Sequence, residues 1–337
     1  MHNDFKSPDS PDQIAVLAAD VGGTRLRAAA ILADGTVALR RERPTRFERG
    51  PHPVADDIAG LLAEVADAAA RQGLPVGPGA AIAATGPIDA TGSLVDPSNL
   101  GPAFRGFPLG AEVARRLGRE VRVGLDTHLA LLGELDHGAL RGTRDALYVT
   151  VSTGVGGAML AGGRLVVGAD GLAGEVGHLP VMAGGPRCGC GGRGHLEAVA
   201  SGPAIAAAGE TAARSGRSEE LARRMAAAPD GRLTGRDVAQ AAEAGDAVAG
   251  AIMARARAVV ARAGVGLVDL LNPERVVLGG GVILGDPPSW LGAVRRGLDR
   301  TGLAVHAARV EVVLPALGDD AGLVGCRPFL LGASRRA

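Results

Sequence analysis

Apolar residues along the chain alternate between short continuous runs and longer segments of helical spacing. The run IAVLAAD at 14–20 ends in an acidic residue and a glycine turn, and TRLRAAAIL and TVALRRER follow as two further short strands. Segment 53–73 places apolar residues three and four apart and stops at Gly73, which predicts an amphipathic helix. A buried strand, GAAIAAT, follows. The chain therefore begins as a β-meander that leads into a helix and a further strand.

The same strand, glycine turn and strand recur at mid-chain: the pattern of 14–32 returns at 146–161. Between them a strand at 121–125 leads into Asp126 and a helix. Helices then fill 203 to about 272, followed by the strand and glycine turn ERVVLGGGV and the closing helix AGLVGCRPFLLGA. Strands interleaved with helices predict an α/β chain with a mixed sheet in each of two related halves.

The repeated pattern predicts two domains. Residues 1–13, polar and rich in proline, are expected to form a disordered tail. Residues 14–125, together with about 318–337, are expected to form a small N-terminal α/β domain, and residues 126–317 a large α/β domain. The beginning of the chain has no apolar signal region, and no later segment offers about 20 unbroken apolar residues. No membrane partner is therefore expected.

The amino-acid composition excludes several kinds of partner and of catalytic mechanism. Basic and acidic residues number 36 each, and the five Phe, one Tyr and one Trp leave few platforms for stacking bases, so no nucleic-acid partner is expected. Three cysteines without a secretory framework indicate the cytoplasm. The only lysine is Lys6, in the tail, which excludes a P-loop lysine and a Schiff-base lysine from the folded part.

Glycine-rich turns follow three of the predicted strands: DVGGT at 20–24, STGVGG at 152–157 and LGGGV at 278–282. Successive backbone N–H groups in such turns form concave sites for anions such as phosphate. A plain hairpin turn explains each of them equally well on its own. Together they predict a nucleotide held in a cleft between the two halves.

Two of the three cysteines lie in GHLPVMAGGPRCGCGGRGHLE, residues 177–197. Cys188 and Cys190 are one residue apart, and a disulfide between such near neighbours would be strained. With His178 before them and His195 after, the four side chains are of the types that zinc prefers. The spacing is not the common C-x2-C pattern, so from the residues alone the metal remains one interpretation.

The order of the motifs resembles the ROK family (repressor, open reading frame, kinase). It runs D-x-G-G-T, a strand ending in Asp, S-T-G-x-G-G, G-E-x-G-H, C-x-C-G-G-x-G and a late G-G-G, over roughly 14–330. The resemblance implies a duplicated two-domain actin-like ATPase (ribonuclease H-like) fold with a cleft between domains. It also implies a structural Zn²⁺ beside the sugar site, held by the loop 178–195 through His178, Cys188, Cys190 and His195.

The resemblance also assigns roles to single residues. Asp126 resembles the general base that takes the proton from the sugar hydroxyl, whereas an ordinary helix N-cap is the alternative for an isolated Asp. Asp20 resembles the residue that holds Mg²⁺. The two phosphate loops and the adenosine-side turn of the ATP site correspond to Gly22, Gly23, Thr24, Ser152, Thr153, Gly154, Gly279, Gly280 and Gly281.

The sugar contacts implied by the resemblance are Asn99, Asp126, Glu175, His178 and Glu197. Three departures from the family pattern concern residues near the catalytic Asp and the metal group. Leu125 stands where the family usually carries Asn before the catalytic Asp, and His128 stands where a second Asn usually follows it. His195 occupies the position of a third cysteine, which would make the zinc site Cys2His2.

The expected activity is ATP-dependent phosphorylation of a hexose at its 6-hydroxyl, and a glucokinase is the leading hypothesis. The alternatives are a kinase for another hexose or an N-acylhexosamine such as N-acetylmannosamine, and a sugar-binding ROK protein of weak activity acting as a regulator. Only about 13 polar residues precede the first strand, which argues against the DNA-binding domain of ROK repressors. The family forms dimers and tetramers, so a homodimer or homotetramer is expected.

Overall fold

A computed structural model describes residues 14–95, 97 and 100–332. The expected tail 1–13 and the predicted sugar contact Asn99 lie outside the described residues. The chain divides into two compact units. Among the described residues, the first contains those up to Thr143, the segment Gly163–Ala173 and those from Pro315 onward, and the second contains Arg144–Gly162 and Gly174–Leu314.

Two five-stranded sheets organise the described part of the chain. Its ten strands are β1 (Ala15–Val21), β2 (Arg25–Ile31), β3 (Val37–Pro44), β4 (Val76–Ala84), β5 (Glu120–Leu125), β6 (Ala146–Val151), β7 (Val155–Ala161), β8 (Arg164–Leu165), β9 (Arg275–Gly279) and β10 (Glu311–Val313). The strand orders are β3-β2-β1-β4-β5 and β10-β9-β6-β7-β8. Read from opposite ends, the two orders are the same, so the predicted duplication is confirmed at the level of topology.

Pairing directions repeat as well. β1 pairs antiparallel with β2 and parallel with β4, and β6 pairs antiparallel with β7 and parallel with β9. Each half is therefore a mixed sheet, as predicted.

Twelve α-helices connect and cover these strands in the described residues. They are α1 (Pro51–Arg71), α2 (Leu109–Leu117), α3 (Asp126–His137), α4 (Glu197–Ala200), α5 (Gly202–Arg214), α6 (Glu219–Ala227), α7 (Gly235–Glu243), α8 (Ala247–Leu271), α9 (Gly281–Leu284), α10 (Pro287–Thr301), α11 (Ala304–Ala307) and α12 (Ala321–Leu331). Short 3-10 turns occupy Phe47–Arg49, Pro102–Phe104, Val176–His178 and Gly318–Asp320. None of the described helices is long and apolar enough to cross a membrane.

In the first unit both faces of the sheet are covered. On β1, Leu17 and Ala19 belong to the core shared with α1 and α2, whereas Ala18 belongs to the core shared with α3 and α12. This alternation explains why β1 is buried at every position and is apolar everywhere except at Asp20. Small alanines dominate the α3 and α12 face, which lets those two helices approach the sheet closely.

The contact between α3 and α12 requires glycine. A Cβ atom at Gly325 would lie 1.7 Å from the Leu129 carbonyl oxygen, and one at Gly133 would lie 2.3 Å from the Ala321 carbonyl oxygen. Both distances are far below van der Waals contact. The two backbones therefore meet directly, and this contact groups α3 with the first unit.

The boundary predicted at 125/126 differs from this division. The first unit extends past α3 to Thr143, and the returning segment begins at Pro315. Buried Glu134 of α3 ties these two stretches together: its carboxylate accepts the N–H groups of Ala139, Ala316 and Leu317 at 2.6, 3.0 and 2.9 Å.

The core of the second unit lies between its sheet and helices. Buried residues of β6, β7 and β9 pack with α5, α7, α8 and α10, and Trp290 of α10 is fully buried there. The 25-residue α8 ends at Leu271 and is followed by Asn272, which adopts a left-handed conformation with φ +45°. Asn is among the few side chains that tolerate such a C-terminal position.

Candidate active site

In the first unit, three adjacent parallel strands end at one edge of the sheet. Val21 of β1 pairs with Ala84 of β4, and Ala84 pairs with Leu125 of β5. Asp20 and Asp126 therefore both lie at the carboxyl edge. With neighbouring strands about 4.8 Å apart, β1, which contains Asp20, and β5, which leads into Asp126, lie about 10 Å apart across the sheet. Ligands of open α/β sheets bind at such carboxyl ends.

Asp20 is 8% exposed and forms an ion pair with Arg27, the residue opposite it on β2. Burial raises the pKa of the Asp20 carboxyl, and the Arg27 guanidinium opposes that rise. A Cβ atom at Gly322 would lie 3.5 Å from Asp20 Oδ2, so the first turn of α12 passes close to this carboxylate. A single carboxylate here fits Mg²⁺, which takes one or two protein carboxylates and fills its remaining positions with water and phosphate oxygens.

The glycine turn after β1 is held by backbone hydrogen bonds. Gly22 N–H donates to the Arg25 carbonyl at 3.0 Å, and the Thr45 hydroxyl donates to the Gly22 carbonyl at 2.8 Å. Gly23 and Thr24 are exposed. The turn therefore has a fixed backbone and an open outer surface, as a phosphate loop requires.

Asp126 is the first residue of α3, and its Oδ1 accepts the Thr127 N–H at 2.6 Å. Leu125 precedes it, and the Leu125 Cδ1 atom lies 2.5 Å from the position that a Cβ of Gly86 would occupy. The leucine side chain thus packs over the backbone after β4. A polar amide, expected from the family pattern, is absent there.

In the second unit, the predicted phosphate loop and the late glycine turn come together. Ser152 N–H donates to the Gly154 carbonyl at 2.8 Å, which closes a tight turn between β6 and β7. Gly280 has φ +91°, and a Cβ atom there would meet the Val151 carbonyl oxygen at 2.3 Å. Only glycine allows this approach of the turn to the end of β6.

The structure also brings in two glycines that the sequence analysis missed. Gly202, the first residue of α5, donates its N–H to the Ser152 carbonyl at 2.8 Å. A Cβ atom at Gly235, where α7 begins, would lie 3.0 Å from the Gly202 carbonyl oxygen. The available signal was a helix start: Ser201 caps α5 with a proline in its first turn.

Glu175, His178 and Glu197 lie near one another in the second unit. His178 Nε2 is 3.7 Å from Glu175 Oε2, and Glu197 Oε2 accepts the Val155 N–H at 3.0 Å. Burial raises the pKa of Glu175, His178 opposes the rise, and the charge of Glu197 adds to it. The hydrogen bond from Val155 therefore connects Glu197, which lies near Glu175 and His178, to the start of β7.

The four predicted metal ligands form a compact group. One ligand atom from each of His178, Cys188, Cys190 and His195 lies within 4.8 Å of all the others. Cys188 Sγ is 3.8 Å from His178 Nδ1, and Cys190 Sγ is 3.3 Å from His195 Nδ1. A tetrahedral zinc site separates sulfur and nitrogen ligands by about 3.6 Å. Geometry and ligand types therefore fit a zinc ion.

Comparison with known proteins shows which family the chain matches. The ROK family pattern matches residues 16–331. A glucokinase of Thermotoga maritima is 32% identical over 321 residues, covering 94% of this chain and 98% of the relative. An N-acetylmannosamine kinase of Shigella boydii is 35% identical over 321 residues, covering 93% and 97%.

A solved structure agrees with these sequence matches. The ROK family glucokinase of Streptomyces griseus in complex with glucose and AMPPNP superposes with a TM-score of 0.77 at 28% identity, covering 94% of this chain and 98% of that one. The chain therefore belongs to the ROK family. The predicted fold, two α/β halves of the actin-like kind, is confirmed, and so is the predicted enzyme class, an ATP-dependent sugar kinase.

Proposed function

We propose that this enzyme transfers the γ-phosphoryl group of ATP to the 6-hydroxyl of a hexose, with glucose as the preferred sugar. The observation that carries the proposal is the placement of Asp20 and Asp126 at one edge of three parallel strands. Phosphoryl transfer needs positioning and charge neutralisation more than covalent chemistry. Two carboxylates on strands about 10 Å apart leave room for a metal–phosphate group at one and a sugar hydroxyl at the other.

Asp126 acts as the general base in this proposal. It lies at the first turn of α3, and its carboxylate accepts a proton from the attacking sugar hydroxyl. The Thr127 N–H at 2.6 Å from Oδ1 fixes the orientation of that carboxylate. Glu175, His178, Glu197 and Asn99 bind the sugar hydroxyls, and Asn99 lies outside the described residues.

The phosphates of ATP bind to backbone N–H groups. We assign them to Gly22, Gly23 and Thr24 of the first unit and to Ser152, Thr153 and Gly154 of the second, with Gly279 to Gly281 on the adenosine side. Asp20 holds Mg²⁺, which supplies positive charge to the phosphate oxygens. Because the described part of the chain contains no lysine, backbone amides, arginine and this ion must supply all the charge compensation.

His178, Cys188, Cys190 and His195 hold a structural Zn²⁺. These residues would supply all four ligands of a tetrahedral zinc ion, which would leave no open position for a reacting water. His178 binds through Nδ1, the nitrogen 3.8 Å from Cys188 Sγ, while its Nε2 faces Glu175. Glu175 would then orient the His178 imidazole for the metal, as outer-shell carboxylates commonly do around zinc.

The remaining proposals concern the whole protein. We expect a cytoplasmic homodimer or homotetramer that binds neither nucleic acid nor membranes. A kinase for N-acetylmannosamine is the second candidate function. It is favoured by the 35% identity to a relative of that name, which slightly exceeds the identity to the glucokinase.

A coupled assay of ADP release tests these proposals. Glucose, mannose, fructose, allose and N-acetylmannosamine are compared at saturating ATP and Mg²⁺, and the phosphorylated position is read by ³¹P and ¹H NMR. Glucose should give the highest kcat/KM and a 6-phosphate. A preference for N-acetylmannosamine would support the second candidate, and no ADP release with any sugar would refute both. Asp126→Asn serves as the inactive control.

A further inference from the structure

His128 departs from the family pattern and makes a defined buried contact. It is two residues after Asp126, in the first turn of α3, and is 5% exposed. Its Nε2 lies 2.8 Å from the carbonyl oxygen of Ala173. A histidine this well buried is either a core residue or one that positions something else.

The direction of this hydrogen bond follows from the acceptor. A backbone carbonyl oxygen only accepts, so Nε2 carries the proton and donates it. Burial lowers the pKa of His128, and the bond to Ala173 offsets only part of that effect. The imidazole is therefore neutral near neutral pH, with its single N–H directed at Ala173.

Ala173 ends a loop that has further anchors within the first unit. Its N–H donates to the Val167 carbonyl at 3.0 Å, which closes the loop 167–173. Gly171, with φ +84°, lies against the backbone near Ala90: a Cβ atom there would be 3.4 Å from the Ala90 nitrogen. Three contacts thus hold the loop: the hydrogen bond from Ala173 N–H to Val167, the packing of Gly171, and the hydrogen bond from His128 to the Ala173 carbonyl.

Glu175 follows Ala173 by two residues, with only Gly174 between them. Gly174 has φ +102°, a conformation that favours glycine and lets the chain turn sharply. Fixing the Ala173 carbonyl therefore fixes where the chain enters Glu175. His128 and Asp126 lie on the same turn of α3.

We propose that His128 is a positioning residue for sugar binding. Its Nε2–H donates to the Ala173 carbonyl, and this hydrogen bond fixes the position of the backbone that leads into Glu175. This inference rests on the proposed role of Glu175 as a sugar contact. Had His128 served packing alone, its removal would lower stability and leave sugar affinity unchanged.

The identity of the donor atom makes the proposal specific. Gln places its amide nitrogen where His places Nε2, whereas the shorter Asn places its amide where His has Nδ1. In this chain, Asn, the usual family residue at this position, would therefore not reach Ala173. Gln at position 128 should therefore preserve the hydrogen bond to Ala173, and Asn should not.

The experiment compares His128→Ala, His128→Asn and His128→Gln with the wild-type enzyme. His137→Ala is the matched control, because His137 lies at the other end of α3 and packs on Gly35. The readouts are KM for the best sugar, KM for ATP, kcat, and hydrogen exchange of peptides covering 165–176.

Loss of the bond should raise KM for sugar about fivefold to tenfold in the Ala and Asn variants. KM for ATP should change less than twofold, exchange in 165–176 should accelerate, and Gln should restore KM to within about threefold of wild type. The control should alter none of these values.

An unchanged sugar KM in His128→Ala, an Asn variant equal to wild type, or equal rises in both KM values would overturn the proposal. If the wild-type enzyme phosphorylates no sugar, the proposed function has failed instead. Hydrogen exchange still decides in that case: unchanged exchange of 165–176 in His128→Ala refutes the anchoring role, and faster exchange rescued by Gln supports it.

Discussion

Removal of His195 from the zinc group is the most informative perturbation of the candidate site. Its Nδ1 lies 3.3 Å from Cys190 Sγ, and its ring packs on Gly192, where a Cβ atom would be 2.3 Å from Cε1. Backbone bonds from Cys188 N–H to the Gly192 carbonyl and from Gly194 N–H to the Pro186 carbonyl, at 2.8 and 2.9 Å, hold the surrounding loop. The His195 ring is therefore already held in the position that the proposed zinc site requires.

The expected magnitude follows from the number of ligands. Structural zinc binds with about 10–16 kcal/mol of apparent free energy at neutral pH, and four protein ligands would share it in the proposed site. Loss of one ligand should therefore cost roughly 2.5–4 kcal/mol, which corresponds to a drop of about 10²–10³-fold in affinity. His195→Cys should recover most of this loss, because a thiolate is also a zinc ligand.

Elemental analysis and competition against a chromogenic chelator provide the assay. Wild-type protein should contain one zinc per chain, and His195→Ala should release it at about 10²-fold lower chelator concentration. His306→Ala is the matched control, since His306 contacts Asp269 at 3.4 Å and lies outside the group. KM for sugar should rise in His195→Ala with little change in KM for ATP, because Glu175 and Glu197 flank the loop.

Two results would refute this reasoning. Zinc retention in His195→Ala equal to that of the wild type would show that the imidazole is not a ligand. Wild-type protein purified without zinc but fully active would remove the metal site altogether.

Three further predictions concern the first unit. Asp126→Asn should lower kcat about 10²–10⁴-fold in the coupled assay while sugar binding by calorimetry weakens less, and wild-type turnover would reduce Asp126 to a helix-terminal role. Glu134→Gln should lower the free energy of unfolding by about 2–3 kcal/mol in a urea titration, because the carboxylate accepts three N–H groups and an amide turns a donor toward one of them; an unchanged midpoint would contradict this. Folding lowers the pKa of His128 from 6.5, so the unfolded chain binds the proton more tightly than the folded chain does. The neutral His128 side chain therefore contributes fully to stability above about pH 6.5, and this contribution is lost as the pH falls toward the pKa of the folded state. Wild-type stability should then fall relative to His128→Gln by up to about 1.4 kcal/mol per pH unit, and parallel pH profiles would exclude the effect.

Local pattern was sufficient to predict most elements and the clustering of the four histidine and cysteine side chains. The continuous apolar run before Asp20 and the helical spacing of 53–73 predicted β1 and α1 within two residues at each end. The strand, glycine turn and strand seen twice in the sequence is the start of both sheets. His178, Cys188, Cys190 and His195 lie within 18 positions of one another, so their convergence depends on a short loop.

Contacts between distant segments were decided only by the folded chain. The partner of Asp20 on β2 depends on strand register, which an apolar run does not specify. The assignment of α3 to the first unit depends on Gly133 and Gly325, nearly 200 residues apart, meeting at one backbone contact. In the same way, the approach of Gly202 to the Ser152 turn depends on packing between α5 and the end of β6.

The amino-acid sequence by itself therefore determined which elements form, which family motifs they carry and which side chains can act chemically. These properties depend on residues close together in the chain, where spacing and side-chain type control the outcome. Tertiary structure alone decided which faces meet, where the first unit ends, and that His128 reaches Ala173 across 45 positions. Such contacts depend on close packing of surfaces that no local pattern describes, because their partners become neighbours only after the whole chain has folded.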